Sequence, residues 1–417
     1  MGAALGAVPA PLPLKSTDSW QELTALLEHP EHPSRHVTRG VNLGGWLITE
    51  AWMNHSLFAG TGAADEFSLG ARLGAEEAAR RLSRHRETWI TREDLMAIKA
   101  AGLESVRLPL GYWVLDVEGL ERRPRGPFSG ARAWMEEAPP FVGPCEHHVR
   151  DALDWAAEIG LSVNLCLHGA PGGQSGHDAT GLSDGQWQPC MWDRQLTVRC
   201  LAHMARVFGR HPALAAVTVI NEPSRSIPTS DLAAFYVDAY AAIREHSDAT
   251  VVMPVYQRSW WWLQTYGQFP PPHFQNVAFD VHLYHCFGWD WQWCTLSGIL
   301  WRAGNGLGHL PSLQAILRSG HRAVVSEWSL RLPEWDPRWP AARALAALPS
   351  DEQRAAVYAA LAARQLRQFE TGAEAWYFWT WKVDAAAANG GTGEPHWDFR
   401  ECRERGWISS WCSNEGI

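Results

Sequence analysis

Two glutamates each come directly after an apolar run that has the composition of a β-strand. Glu222 lies in the segment VTVINEP, and Glu327 lies in the segment AVVSEW. Paired carboxylates are the groups that hydrolysis of a glycosidic bond requires, because one protonates the leaving oxygen while the other attacks the anomeric carbon or activates water. A separation of about 5 Å would favour direct attack and retention of configuration. A salt bridge at a strand end would explain either glutamate alone, but the pair and its polar surroundings favour catalysis.

Polar side chains also stand near the ends of other apolar runs. Arg107 and Tyr284 would supply the cation and the hydrogen-bond donor that keep a nucleophilic carboxylate ionised. Asn221, next to the first glutamate, would hydrogen-bond a sugar 2-hydroxyl, a contact that strengthens in the transition state. His168 and His282 are candidates for orienting the carboxylates, although a structural role is an equally good explanation for a lone histidine.

Eight short apolar runs have strand composition, and they alternate with polar loops and helical segments. Near-continuous runs such as SVNLCLH and AAVTVIN are typical of strands that are buried on both faces, as in a parallel sheet. The alternation predicts an α/β protein of the (β/α)8 TIM-barrel type, a single domain with elaborated βα loops, whose catalytic groups lie at the carboxyl ends of the strands. An open doubly wound sheet is the alternative, but no G-x-G-x-x-G follows the first strand and no P-loop is present. The predicted strands are Val37–Asn42, Glu104–Leu108, Ser162–His168, Ala216–Asn221, Thr250–Val255, Val277–Tyr284, Ala323–Glu327 and Glu374–Trp381.

Helical segments fall between these strands. Thr91 with Asp94, and Ser350 with Gln353, have the spacing of capping boxes at helix starts. Residues 1–36 are expected to form an N-terminal extension with a short helix, and residues 37–417 are expected to form the barrel. The predicted helices are Ala75–Arg86, Thr91–Ala101, Cys145–Ile159, Asp193–Arg210, Ser230–His246, Leu310–Ser319 and Asp351–Thr371.

The composition excludes several classes of protein. The chain has 417 residues, of which 46% are hydrophobic and 19% charged, so it is long and apolar enough to bury a large core. A net charge of −9 without a basic stripe argues against nucleic acid as a partner. No stretch of about 18 apolar residues is present, so no membrane span is expected. The first residues do not resemble a secretion signal, so a cytoplasmic location is expected, or secretion if a leader was removed.

The eight cysteines do not form a metal-binding pattern. No C-x-x-C and no H-E-x-x-H occurs, so no metal or other cofactor is predicted. Cys166 lies in an apolar run and is predicted to be a free core thiol. Cys286 with Cys294, and Cys402 with Cys412, are close enough in sequence for local disulfides, and the sequence leaves both pairings open.

Tryptophan is unusually frequent, with 25 residues in the chain. Indole rings pack well in cores and also stack on the C–H faces of sugars, so the count alone suggests carbohydrate binding only weakly. Trp379 or Trp381 would form the floor under the sugar at the cleavage point, and the other would face the helices because strand residues alternate. The run Trp260–Trp262 is interpreted as a sugar platform or a lid. Three further tryptophans assigned to a loop are Trp289, Trp291 and Trp293.

Seven short motifs occur in a fixed order between residues 39 and 382. They are Arg39-Gly40-Val41-Asn42-Leu43-Gly44-Gly45-Trp46-Leu47 followed by Glu50, Val106-Arg107-Leu108-Pro109 with Gly111-Tyr112-Trp113, Leu167-His168-Gly169-Ala170-Pro171-Gly172, Asn221-Glu222-Pro223, His282-x-Tyr284, Ser326-Glu327-Trp328-Ser329 and Phe378-Trp379-Thr380-Trp381-Lys382. A single motif such as N-E-P is weak, but seven in order at barrel spacing are specific. Together they resemble glycoside hydrolase family 5, and in particular its exo-β-1,3-glucanase branch.

The resemblance implies a retaining β-glycosidase that acts on a β-glucoside or β-glucan. It implies that Glu222 is the acid/base and Glu327 the nucleophile, and that Glu50 binds hydroxyls of the sugar at the non-reducing end. The supporting residues implied by the matched motifs are Arg107, His168, Asn221, His282 and Tyr284. The tryptophans implied to contact substrate are Trp46, Trp113, Trp379 and Trp381.

Some positions depart from the pattern of that branch. Ser175 stands where the branch usually has Asn, and His177 stands where it usually has Phe, and both shape the rim of the substrate pocket. Related activities therefore stay open: a β-glucosidase, diglycosidase or glycosylceramidase that acts on a large aglycone, or an endo-β-glucanase. A non-catalytic carbohydrate-binding barrel would lack one of the two carboxylates. A metal-dependent hydrolase would need clustered ligands, and the first strand has no H-x-H.

Overall fold

A computed structural model describes residues 36–409 of the chain, except residues 125, 127, 259, 260, 262, 264–268, 270–272, 306–309 and 385–393. The predicted N-terminal extension, apart from its last residue, therefore lies outside the described residues. No helix within the described ranges has both the length and the hydrophobicity that crossing a membrane requires.

Eight parallel strands form a closed barrel. Each strand pairs with its neighbours in the chain, and the last strand pairs with the first. This arrangement confirms the predicted (β/α)8 barrel. The strands are β1 (Thr38–Asn42), β2 (Ser105–Gly111), β3 (Ser162–Gly169), β4 (Leu214–Thr218), β5 (Thr250–Pro254), β6 (Val277–Leu283), β7 (Arg322–Trp328) and β8 (Ala375–Phe378).

The predicted strands agree with these bounds to within two residues, except at three carboxyl ends. The second was expected to end at Leu108, but β2 continues to Gly111. The fourth was expected to run to Asn221, but β4 ends at Thr218. The eighth was expected to run to Trp381, but β8 ends at Phe378. In the latter two cases the chain leaves the ladder early at the mouth of the barrel. After β4 it turns at Glu222, whose φ of +38° is a left-handed conformation that non-glycine residues rarely adopt.

All seven predicted helices are present, with ends shifted by at most two residues. The Asp94 carboxylate accepts a 3.0 Å hydrogen bond from the N–H of Thr91, and the Ser350 hydroxyl accepts one of 3.2 Å from the N–H of Gln353. Seven further helices in the described ranges are mostly short and lie within loops. The helices are α1 (His55–Phe58), α2 (Glu66–Leu73), α3 (Ala75–Thr88), α4 (Arg92–Ala100), α5 (Trp134–Glu137), α6 (His147–Ile159), α7 (Arg194–Phe208), α8 (Thr229–Arg244), α9 (Trp289–Gln292), α10 (Leu296–Asn305), α11 (Leu310–Arg318), α12 (Pro340–Ala346), α13 (Asp351–Gly372) and α14 (Phe399–Glu404).

The strands are buried on both faces, as the apolar runs predicted. Every residue of β2 is buried, and so is every residue of β3 after Ser162. Cys166 on β3 is a buried free thiol, which confirms its prediction.

The structure tests one of the two disulfides that the sequence left open. Cys286 and Cys294 are not joined by a disulfide, so a bridge between them is wrong. Cys402 is a free thiol, and Cys412 lies outside the described residues.

Candidate active site

The two glutamates singled out from the sequence lie at one cavity at the mouth of the barrel. Glu222 follows β4, Glu327 lies near the end of β7, and both line a cavity of about 1030 Å³. Three atoms lie within 4.8 Å of one another: a carboxylate oxygen of Glu222, a carboxylate oxygen of Glu327 and a ring nitrogen of His282. Carboxyl groups of retaining glycosidases lie about 5–5.5 Å apart, whereas inverting enzymes separate them by about 6.5–9.5 Å to admit a water molecule. The arrangement therefore fits the retaining geometry.

Glu327 is buried and is held by hydrogen bonds to both of its oxygens. Arg107 Nη1 donates to Oε1 at 2.8 Å, and the Tyr284 hydroxyl donates to Oε2 at 2.7 Å. Burial raises the pKa of Glu327 overall, and the positive charges of His282 and Arg107 and the hydrogen bond from Tyr284 offset part of that rise. The surrounding donors therefore stabilise the carboxylate form that a nucleophile requires.

His282 lies between the two carboxylates. Its Nδ1 is 2.7 Å from Glu222 Oε1 and 3.4 Å from Glu327 Oε2, and its Nε2 is 3.2 Å from Asp280 Oδ2. Burial lowers the pKa of His282, but the carboxylates of Glu327 and Asp280 outweigh it and raise the pKa to about 10. At neutral pH the ring is an imidazolium that donates from both nitrogens. This cation allows two carboxylates to approach each other inside a buried site.

A chain of polar contacts runs from Arg107 to Trp379 beneath the cavity. Arg107 Nη2 donates to Asn221 Oδ1 at 2.8 Å, and Asn221 Nδ2 lies 3.2 Å from His168 Nε2. Burial lowers the pKa of His168 well below its usual value, so the ring is neutral and its Nε2 accepts from the amide. The His168 ring in turn stacks on Trp379 at 5.5 Å with an interplanar angle of 12°. These contacts fix the orientation of the amide and the indole at the cavity.

The loop that carries Glu222 is fixed by Arg258. Its guanidinium donates to the carbonyl oxygens of Pro223 at 2.7 Å and Ile227 at 2.8 Å, and also to that of Ser224. These bonds hold the chain immediately after Glu222, where the left-handed backbone would otherwise relax. Arg258 was not identified from the sequence, because a single arginine in a loop after β5 carries no pattern.

Glu50 is buried at another part of the same cavity. Trp52 Nε1 donates to Glu50 Oε2 at 2.7 Å, while Glu50 Oε1 has no hydrogen-bond partner among the described residues. Burial and the negative charge of Asp178 raise the pKa of Glu50 well above its usual value. A buried acceptor without a partner is costly unless a ligand satisfies it. The predicted location of Glu50 at the sugar site thus fits the geometry.

Two of the tryptophans predicted to contact substrate lie in the core instead. Trp46 has no exposed surface, and its Nε1 donates to the carbonyl oxygen of Arg86 at 2.7 Å. Trp113 also has no exposed surface, and its Nε1 donates to Glu66 Oε1 at 2.8 Å. Buried indole N–H groups need such acceptors, and both rings pack in the core below the site. The prediction that they bind sugar is therefore wrong.

The remaining pair divides as predicted, with one ring at the cavity and one at the helices, although both residues follow β8 and do not lie in the strand. Trp379 lines the cavity and stacks on His168, so it is placed to contact a sugar. Trp381 is buried on the side of the helices, where its Nε1 donates to Asp94 Oδ1 at 2.9 Å. Its predicted contact with substrate is corrected to a packing role.

Further aromatic rings line the cavity and were not assigned to it from the sequence. Phe287 stacks on Trp397 with a ring separation of 6.1 Å and lies 6.4 Å from Trp335. Phe287 is 52% exposed and Trp335 is 46% exposed, so together they form an open aromatic wall. They come from three separate loops, so no local pattern brings them together.

The other loop tryptophans have mixed positions. Trp289 and Trp293 are exposed, but Trp291 between them is buried, and Trp289–Gln292 is the short helix α9 rather than irregular loop. Trp261 is exposed, while Trp260 and Trp262 lie outside the described residues.

The cluster of Glu222, His282 and Glu327 could offer three ligand atoms to a metal ion. A histidine binds a metal through a nitrogen lone pair, so it must be deprotonated at that nitrogen. His282 instead donates from both nitrogens to carboxylates. The contacts of His282 therefore fit the sharing of protons with the neighbouring carboxylates better than the binding of a metal ion.

A closed (β/α)8 barrel with two facing carboxylates at the carboxyl ends of its strands defines a class, the barrel glycoside hydrolases. No family model matches the chain. The chain is 30% identical over 402 residues to "Probable glucan 1,3-beta-glucosidase A" of Emericella nidulans, covering 88% of this chain and 89% of that protein. It is 33% identical over 259 residues to "Glucan 1,3-beta-glucosidase" of Blumeria graminis, covering 60% of this chain and 55% of that protein.

Solved structures share the fold. The rutinosidase from Aspergillus niger superposes with a TM-score of 0.66 at 16% identity, covering 92% of this chain and all of that chain. An endo-β-1,4-glucanase from Xanthomonas axonopodis pv. citri gives a TM-score of 0.51 at 13% identity, covering 89% of this chain and 99% of that chain. On the similarity to the curated relatives, the chain belongs to their family, glycoside hydrolase family 5.

Proposed function

We propose that the protein is a retaining, exo-acting glucosidase that releases terminal glucose from β-1,3-linked glucans. The observation that carries the proposal is the close approach of Glu222 and Glu327 on either side of His282. The names of the curated relatives support the linkage, since each is called a glucan 1,3-β-glucosidase.

In the first step, Glu222 protonates the glycosidic oxygen while a carboxylate oxygen of Glu327 attacks the anomeric carbon. The bond to the leaving group breaks, and a covalent glucosyl ester forms with inverted configuration. His282 Nδ1 lies 2.7 Å from Glu222 Oε1 and is placed to share a proton with it. Arg107 and Tyr284 hold the two oxygens of Glu327 in place for attack.

In the second step, Glu222 acts as a base. It removes a proton from water, and the water oxygen attacks the anomeric carbon from the face that the leaving group vacated. The ester to Glu327 breaks, and the second inversion restores the β configuration. Glucose and the enzyme in its original protonation state result.

Exo action is supported by Glu50. Its partnerless Oε1 is buried at the cavity, close enough to Glu222 and Glu327 for both to raise its pKa. An acceptor at this distance from the catalytic pair suits the hydroxyls of one terminal sugar. A glucan that extended beyond the terminal sugar would not present those hydroxyls to the Glu50 carboxylate.

A second candidate is a β-glucosidase whose leaving group is a large aglycone. The observation that favours it is the aromatic wall of Phe287, Trp335 and Trp397 at a cavity of about 1030 Å³. Such a wall offers flat faces on which the rings of a large apolar aglycone would stack.

A hydrolysis panel distinguishes these functions. It compares laminaribiose and laminaritriose with cellobiose, gentiobiose, flavonoid glucosides and glucosylceramide. The proposal expects the highest kcat/KM on the laminari-oligosaccharides, with glucose as the first product and with β-glucose seen first by proton NMR. A preference for an aglycone glycoside would favour the second candidate. Inverted product, or oligosaccharides released from within the chain, would contradict the proposal.

A further inference from the structure

The nucleophile candidate is carried by a bulge in β7. Along the β6–β7 ladder the pairing passes from Val281–Val325 directly to His282–Glu327, so Ser326 is an extra residue on β7. A bulge re-aims the side chains that follow it, and bulges recur beside active sites. Without the extra residue, Glu327 would occupy the position of Ser326, and alternation would point it to the opposite face.

Both backbone groups of the bulged residue are satisfied by side chains. The N–H of Ser326 donates to Asp280 Oδ1 at 3.0 Å, and its carbonyl oxygen accepts from Asn42 Nδ2 at 2.9 Å. Buried backbone groups that leave a ladder need such partners, because an unpaired one costs free energy comparable to a lost hydrogen bond. Asp280 and Asn42 therefore stabilise the bulge in the form that places Glu327.

The second oxygen of the same aspartate holds His282. Asp280 Oδ2 lies 3.2 Å from His282 Nε2, and Asp280 has no exposed surface. A carboxylate at one ring nitrogen fixes both the orientation of the imidazole and the position of its protons. Burial raises the pKa of Asp280, but His282 and Arg107 outweigh it and lower the pKa, so the group is a carboxylate.

We propose that Asp280 is a positioning residue that couples the two halves of the active site: one oxygen fixes the bulge that aims Glu327, and the other holds His282 between Glu327 and Glu222. This inference rests on the proposed function, because it assigns Asp280 a role in that reaction. Asp280 touches neither the cavity nor the sugar site, so its effect acts through the residues that it contacts.

The proton on His282 depends on every charged group that faces it. Besides Asp280 on its own strand, four groups face the ring: Glu327 on β7, Glu222 after β4, His168 on β3 and Tyr256 after β5. Arg107 on β2 and Tyr284 after β6 act on it through Glu327, to which both donate a hydrogen bond.

Asp280→Asn tests the positioning role of Asp280 most directly. The amide oxygen still accepts from the N–H of Ser326, but the amide nitrogen now faces His282 Nε2 with a donor. His282 is then expected to lose its Nε2 proton and become neutral. We expect a fall in kcat of about 10- to 100-fold, as for other carboxylate–histidine pairs, with KM unchanged. We also expect the alkaline limb of the kcat/KM profile to move to lower pH.

A control variant and an NMR measurement distinguish a change in the active site from a general loss of stability or of activity. Glu370→Gln is the matched control, because Glu370 is a buried carboxylate that accepts from Arg39 Nε at 3.0 Å away from the cavity. It is expected to lower Tm but to leave the pH profile unchanged. NMR of the histidine side-chain nitrogens reports the charge of His282 directly, and we expect a cation at pH 8 in the wild type and a neutral ring in the Asp280→Asn variant.

The outcomes separate the two proposals. If Asp280→Asn lowers Tm as Glu370→Gln does, while its pH profile and the charge of His282 stay as in the wild type, Asp280 is merely structural and the inference is overturned. If the wild type hydrolyses no β-glucoside, the proposed function fails. In that case the NMR comparison still decides whether Asp280 holds the proton on His282.

Discussion

Arg107 and Glu327 form a hydrogen bond of 2.8 Å across the inside of the barrel, from β2 to β7. The Arg107 side chain has no exposed surface, and a buried guanidinium requires a negative partner, because leaving either charge unpaired costs several kcal/mol. Among the described residues, Glu222 accepts no hydrogen bond from an arginine. This asymmetry supports Glu327 as the ionised nucleophile and Glu222 as the acid/base.

The role proposed for Glu50 is tested by Glu50→Gln. The amide keeps an acceptor for Trp52 but replaces the partnerless oxygen Oε1 with an N–H group. A buried polar group left without its partner costs about 1–3 kcal/mol, so we expect kcat/KM on laminaritriose to fall about 10- to 100-fold. Glu158→Gln, at an exposed carboxylate paired with Arg92, should match the wild type. An unchanged kcat/KM in Glu50→Gln would remove Glu50 from the sugar site.

The division among the tryptophans is tested by two matched substitutions to phenylalanine. Trp379→Phe should raise KM about 2- to 12-fold, because it weakens ring stacking worth about 0.5–1.5 kcal/mol. Trp113→Phe should lower Tm with KM unchanged, because it removes one of the hydrogen-bond donors to buried Glu66 and leaves a cavity. A weaker substrate affinity in Trp113→Phe at wild-type Tm would contradict its placement in the core.

Acid stability should depend on His396. Burial and the charges of Arg331 and Arg405 lower its pKa to about 3, against a usual value of 6.5. Below pH 6.5 the unfolded chain binds a proton that the folded chain refuses, so this group destabilises the fold as pH falls from 6.5 towards 3. His396→Phe keeps a ring against Tyr358 and Trp407. Urea unfolding should then show a slope of stability against pH that is shallower by about 1.4 kcal/mol per pH unit. An unchanged slope would show that His396 is not buried as a neutral ring.

Chelation should leave activity intact. Both nitrogens of His282 donate to carboxylates, so the cluster at the cavity has no lone pair to give to a metal from this ring. We expect the same kcat before and after dialysis against EDTA. Loss of activity that a divalent cation restores would return the metal-dependent hydrolase to consideration.

Much of the fold was accessible from the sequence, because the barrel repeats one simple pattern. The near-continuous apolar runs predicted β3 and the start of β4, and the helix predicted at Asp351–Thr371 lies within one residue of the observed Asp351–Gly372. Glu222 and Glu327 were identified for the same reason, since each follows such a run at the barrel mouth.

The parts that could not be predicted depend on contacts between distant segments. A motif does not reveal which face of the chain is buried, so Trp46 and Trp113 were assigned to the sugar site although their N–H groups have acceptors in the core. The role of Asp280 follows from a one-residue bulge on another strand, which only the register of β6 and β7 reveals. The alternation Asp280-x-His282 on one strand face was the available signal.

The roles of Glu222 and Glu327 are tested most directly by azide rescue of Glu327→Ala and Glu222→Ala on an activated aryl β-glucoside. Loss of the acid/base should cost about 10²- to 10⁴-fold on substrates with poor leaving groups, and loss of the nucleophile should abolish most hydrolysis. We expect azide to give the α-glucosyl azide with Glu327→Ala, by one inversion, and the β-glucosyl azide with Glu222→Ala, by attack on the covalent intermediate. Wild-type activity in either variant, or the reversed pair of products, would contradict the assignment of nucleophile and acid/base.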